Sequence, residues 1–172
     1  MPQGVLWTSF QFFYSYGPLD RYGSGKWKVE NNKVVLNSKP YPGKDFKLTD
    51  SVKDNNNFTT IKIDDKNPML FSFAHCIAHT KNGDTMFDAD YNDYIIIPDK
   101  SVDTIHLLCK LSAERVSIFT VNNAMHNFYI FRFEPWIVEV FFKEVTLQFV
   151  KDHLEGKHLL LEGENYKYVK DE

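Results

Sequence analysis

The chain has 172 residues, a formal net charge of −3 and a pI near 6.1. That length suits one domain or two small ones. The acidic balance argues against nucleic-acid binding through phosphate contacts, which needs a basic surface, and no apolar run approaches the roughly 18 residues of a membrane-spanning helix.

Aromatic residues make up 16% of the chain, with 15 Phe and 9 Tyr. Such residues favour pleated surfaces, so the composition points to sheet. In chain order, residues 5–14, VLWTSFQFFY, predict a first strand. Tyr16-Gly17-Pro18 and Tyr22-Gly23-Ser24-Gly25 read as the breaks after it. The stretch GKWKVENNKVVLNS, 25–38, reads as a β-hairpin. Trp27 and Val29 alternate with Lys26, Lys28 and Glu30, and Val34 and Leu36 resume the alternation after Asn31-Asn32. Asn tolerates the positive φ that tight hairpin turns require.

Pro40-Tyr41-Pro42-Gly43 is a turn cluster, and Asp54-Asn55-Asn56-Asn57 is another. Between and after them, Phe46–Leu48 and Thr59–Ile63 alternate as strands do. Met69–His79, MLFSFAHCIAH, predicts a central strand. The Asn82-Gly83 pair that follows is a strong hairpin signal. Thr85–Asp90, Tyr94–Ile97, Val102–Cys109, Val116–Val121 and Asn127–Phe133 predict further short strands, and 136–142 another after Glu134-Pro135. Residues 141–154 satisfy both periods, but Val, Thr and Phe dominate, which favours strand. Gly156 and Gly163 bracket a last apolar piece.

About a dozen short strands with a turn signal roughly every ten residues predict an all-β, antiparallel β-sandwich. The expected organisation is a single domain over 1–172, with a conceivable subdivision into an N-terminal meander, 1–57, and a sandwich, 58–172.

The order Asn82-Gly83-Asp84, Asp88-x-Asp90, then Tyr94-Ile95-Ile96-Ile97-Pro98 resembles the Ig-like, transthyretin-like modules of bacterial envelope proteins. Tyr16-Gly17, Gly25-x-Trp27 and Val34-Val35-Leu36 look like the hairpin of uncharacterised bacterial exported proteins. The resemblance implies a mature fragment from a bacterial periplasm or cell envelope. The N-terminus lacks the basic region and cleavage site of a signal peptide, which leaves a cytoplasmic location as the alternative. Cys76 and Cys109 are compatible with either compartment: they form a disulfide in an oxidising space or stay as buried thiols in a reducing one.

Four constellations invite chemistry. No cofactor is expected, but Asp84, Asp88, Asp90 and Asp93 fall within ten residues and offer carboxylates to Ca²⁺, although the EF-hand pattern is not met. Solvated carboxylates that discourage edge pairing are the plainer reading. His75 and His79 stand four apart, and on a strand that is roughly 13 Å, too far for one ion. No nucleophile elbow, phosphate loop or catalytic cysteine signature is found, so no catalytic residue is assigned. Trp27, Tyr41, Tyr16 and Tyr22 flank turns. Exposed, they form a protein- or sugar-binding platform; buried, they are core. The expected function is that of a non-enzymatic binding protein with a protein partner, of the kind seen in immunity or inhibitor proteins that block a toxin or enzyme. A carbohydrate- or Ca²⁺-binding envelope module is the alternative.

Overall fold

The computed structural model describes residues 7–16, 19–89, 93–122, 124–163 and 165–169. These form β1 (Thr8–Tyr16), β2 (Leu19–Glu30), β3 (Lys33–Ser38), β4 (Phe46–Val52), β5 (Thr59–Ile63), β6 (Ala74–Thr80), β7 (Gly83–Asp88), β8 (Tyr94–Ile97), β9 (Val102–Cys109), β10 (Val116–Thr120), β11 (Phe128–Phe133), β12 (Val145–Val150), β13 (His153–Gly156) and β14 (Tyr166–Tyr168). Two 3-10 turns, Pro68–Phe73 and Lys110–Ser112, are the helical elements among the described residues. The fold is all-β and sandwich-like, as the alternation predicts. The chain divides into two compact units: Met1–Pro42 with Glu139–Glu172, and Gly43–Val138.

The discontinuous unit is built on one antiparallel six-stranded sheet, ordered β1-β2-β3-β12-β13-β14. The predicted hairpin is its centre. Trp27 pairs with Leu36 and Glu30 with Lys33. Asn31 and Asn32 have φ of 51° and 60°, the left-handed conformation that a two-residue turn demands. One face carries Phe10, Phe12 and Tyr14 of β1, Trp27 of β2, Leu36 of β3, Leu147 of β12, and Tyr166 and Tyr168 of β14, as the pairing register places them. A strap over 139–142 crosses it. Val140 N–H donates to Tyr22 O (2.9 Å), Phe142 N–H donates to Ser38 Oγ (2.8 Å), and the Phe142 ring lies 6.0 Å from Phe10 and 6.1 Å from Phe12.

The continuous unit is a two-sheet sandwich. One sheet, β10-β9-β6-β7, is wholly antiparallel. The other, β4-β11-β5-β8, contains one parallel pair, β11 with β5. Ala74, Cys76, Ala78, Ile105 and Leu107 from the first sheet and Phe46, Ile61, Ile63, Ile95 and Phe131 from the second form one solvent-free core. Alternation explains this arrangement: every second residue of β6 and β9 points inward, and those residues are the small or aliphatic ones. A buried ion pair closes one end. Arg115 Nε donates to Asp45 Oδ2 at 2.7 Å, and Arg115 Nη2 donates to Ile137 O at 2.7 Å.

Three local expectations are corrected. Tyr22-Gly23-Ser24-Gly25 is not a break but the middle of the twelve-residue β2. Its glycines serve close approach, since a Cβ on Gly25 would lie 2.0 Å from Asn37 O and one on Gly23 would lie 2.4 Å from the Phe12 ring. The strand predicted from Met69 begins only at Ala74, after the 3-10 turn. Pro68 opens that turn, where its missing N–H and fixed φ are favourable. Residues 136–142 do not extend a strand. Ile137 N–H turns back to Glu134 O (3.0 Å), and the apolar pattern arises because Ile137 is buried in one unit and Val140 in the other. For 145–150 the strand reading holds.

Candidate functional site

The four aromatic candidates do not form one platform. Trp27 is half-buried between Thr8 and Leu36. Tyr22 lies an odd number of residues away on β2 and so projects from the opposite face. It is exposed, and its hydroxyl lies 3.5 Å from Glu139 Oε1. Burial, then the Glu139 carboxylate, pushes its pKa up. Tyr41 packs on Phe141, ring centroids 5.1 Å apart. The Tyr16 backbone ends β1 opposite Leu19; its side chain lies outside what is described.

The acidic candidates are also dispersed. Asp84 and Asp88 stand four apart on β7, about 13 Å along a strand. Asp93 has φ 69°, and its carbonyl accepts from Ile63 N–H at 2.9 Å. Asp90 lies outside the described residues. Among the described residues no three His, Cys, Asp or Glu side chains gather in a metal-ready group. Cys76 and Cys109 are free and buried. Burial pushes the Cys76 thiol up to about 12, so it is no nucleophile at neutral pH.

What the fold does assemble is the outer face of the β7-β6-β9-β10 sheet. Because Ala74, Cys76 and Ala78 point into the core, His75, Ile77 and His79 must point out. The register then lays out three rows of four. Asp88, His75, Leu108 and Val116 make the first. Met86, Ile77, His106 and Ile118 make the second. Asp84, His79, Thr104 and Thr120 make the third. Met86 is 66% exposed, Ile118 47% and Val116 42%, while Ile77 and Leu108 are half-buried beside them. An apolar band thus crosses this face from Met86 through Ile77 and Leu108 to Val116 and Ile118, with imidazoles on the inner strands and carboxylates on the β7 edge.

Polar order runs along one corner. Asp84 Oδ1 lies 2.6 Å from His79 Nδ1, and His79 Nε2 lies 2.9 Å from His106 Nδ1. The carboxylate accepts from His79 Nδ1–H, which leaves His79 Nε2 to accept from His106 Nδ1–H. Burial, followed by the neighbouring His79, holds His106 below the usual imidazole range. In the first row His75 Nδ1 stands against the Asp88 carboxylate as an ion-pair contact.

Sequence reasoning missed this face, although part of it was within reach. The two-residue loop Lys81-Asn82 fixes the hairpin register, so His79 opposite Asp84 and His75 opposite Asp88 follow from counting back from the turn. His106 arrives through a pairing 27 residues away, which no local pattern signals. A second concavity, about 760 Å³ and lined by Trp7, Phe10, Gly25, Lys26, Asn37 and Pro40, belongs to the six-stranded unit. Its lining carries no acid–base pair. Comparison with protein-family models, with curated proteins and with solved structures finds no match.

Proposed function

We propose that this protein is a non-enzymatic binding protein that engages a protein partner through the outer face of the β7-β6-β9-β10 sheet. The observation that carries the proposal is the exposure of Met86, Ile118 and Val116 around Ile77 and Leu108. A band of exposed apolar side chains beside charged and imidazole groups is the composition of a recognition surface. Asp84 and Asp88 along one edge, with a net charge of −3, suit a partner that presents apolar side chains beside basic ones. Inhibitor and immunity proteins, which cover the working surface of an enzyme or toxin, act in this way without chemistry of their own. We assign the protein to that functional class.

The test uses three baits: wild type, an Ile118→Lys/Met86→Lys variant, and a control with Phe13→Lys on the six-stranded sheet. One stoichiometric protein should be retained by wild type and by the control, and lost from the double variant. Retention of the partner by the double variant would refute the assignment, as would the absence of any stoichiometric protein.

A further inference from the structure

We propose that His79 and His106 form a two-imidazole chelate for a divalent transition-metal ion, with Asp84 as the residue that orients His79. The inference does not depend on a protein partner. It starts from the ring geometry. The two nitrogens lie 2.9 Å apart, yet the ring centroids are only 4.0 Å apart, and the planes are inclined at 59°. Rings joined head-on by an N–H···N bond of that length would have centroids roughly 5 Å apart. The imidazoles are therefore inclined to one another rather than joined head-on, and an ion can replace the proton between them.

The distance also suits a specific coordination. Two nitrogens bound at about 2.05 Å and 90° to each other lie roughly 2.9 Å apart, whereas a tetrahedral centre spreads them to roughly 3.3 Å. The observed 2.9 Å thus matches cis positions of an octahedral or square-planar ion, the preference of Ni²⁺ and Cu²⁺. Zn²⁺ requires the rings to part by a few tenths of an ångström. Imidazole is the appropriate donor for all three.

The second shell is already in place. A ligating histidine characteristically donates its other N–H to a carboxylate, which fixes the tautomer and raises the basicity of the ligating nitrogen. Asp84 does this for His79 at 2.6 Å. The carboxylate also adds negative charge beside the incoming cation. On binding, the proton of His106 Nδ1 moves to Nε2 of the same ring, both nitrogen lone pairs enter coordinate bonds, and water fills the remaining positions. The side chain of His79 is 28% exposed and that of Asp84 63%, so the corner is open to solvent on one side.

The cross-strand geometry supplies the rigidity that a two-ligand site needs. His79 and His106 stand diagonally across adjacent strands, with His79 opposite Thr104 and Ile77 opposite His106. Both strands have their other face in the core. The two Cβ atoms are therefore held by the sheet rather than by a loop.

The experiment is titration of chelator-treated protein with Ni²⁺, read by calorimetry and by ¹H–¹⁵N spectra of the histidine rings. Wild type should bind one ion, and the His79 and His106 resonances should change together. His106→Gln should abolish saturable binding, and Asp84→Asn should weaken it about 10–100-fold. His153→Gln, which removes the imidazole held by Asp152 and Glu155, should leave binding unchanged. All three substituted positions lie on strands, and circular dichroism checks that each variant is folded. Unchanged binding by His106→Gln would overturn the proposal. Ring shifts centred on His153, or no saturation in wild type, would do the same. None of these readouts needs a protein partner, so this inference and the proposed function stand or fall separately.

Discussion

The two units solve the same problem differently. The continuous unit covers each sheet's apolar face with another sheet. Phe46, Phe131, Ile61, Ile63, Ile95, Ile105 and Leu107 are fully removed from solvent as a result. The discontinuous unit has one sheet crossed by a strap, and its aromatics, Phe10, Phe12 and Trp27, remain half-buried. Its buried aliphatics are Val34, Val140 and Leu147. Hydrophobic stabilisation follows the area removed from water, so similar composition yields unequal returns. The sandwich has the more fully buried core, and its outer sheet face carries the apolar band and the histidine corner.

The largest expected effect tests that inequality directly. Phe131→Ala should cost about 3–5 kcal/mol in chemical denaturation, because it leaves a cavity in a closed core. Phe12→Ala, on the half-covered sheet, should cost under about 2 kcal/mol. Equal losses would erase the contrast between the units. A smaller effect probes the backbone of the six-stranded sheet. Gly25→Ala would drive its Cβ against Asn37 O, forcing β2 and β3 apart, and should cost about 1–3 kcal/mol. Gly43→Ala meets no atom within 4 Å, although its φ of 119° also disfavours a side chain. It should cost about 1 kcal/mol through the backbone alone. Measured as midpoint shifts, the two variants set a steric clash at Gly25 beside a backbone cost at Gly43.

The smallest effect is acid sensitivity in the six-stranded unit. His158 lies between Tyr14, Tyr166 and Tyr168, and its Nδ1 accepts from the N–H groups of Leu160 and Leu161, both at 3.1 Å. Burial pushes its pKa down. The unfolded chain therefore binds this proton more tightly than the folded one. The contribution of His158 is complete above about pH 6.5 and is lost as pH falls below that value through the depressed folded pKa. His106 moves in the same direction, and His153, raised by Glu155 and Asp152, in the opposite one. The comparison must accordingly be internal. The loss of stability between pH 7 and pH 5 should be smaller in His158→Gln than in wild type. Identical slopes would show that the tyrosine cage does not exclude the proton.

How much was legible follows from the range of each interaction. The hairpin over 25–38 was readable because two asparagines and two alternating arms specify it within fourteen residues. The class of fold was readable because alternation recurs along the chain. Gly23 and Gly25 misled, since a glycine that permits close strand approach looks the same in sequence as one that permits a turn. Residues 136–142 misled because one apolar run serves two cores. At the site, alternation places His75, Ile77 and His79 on one face. Only the β6–β9 register brings His106 beside them, and register between distant strands is set by the packed core rather than by local sequence.

The pairing of β3 with β12 has a consequence for biosynthesis. Leu36 pairs with Val145, and the whole sandwich is encoded between them. A nascent chain leaving the ribosome exposes the free rim of β3 long before its neighbour exists. With roughly a hundred residues still to be made at 5–20 residues per second, that rim waits about 5–20 s. The inserted unit is synthesised complete only at Val138, shortly before Val145, so its last strand and the missing neighbour of β3 emerge close together. Slowed elongation across 43–138 would lengthen the exposure of an unpaired template for aggregation.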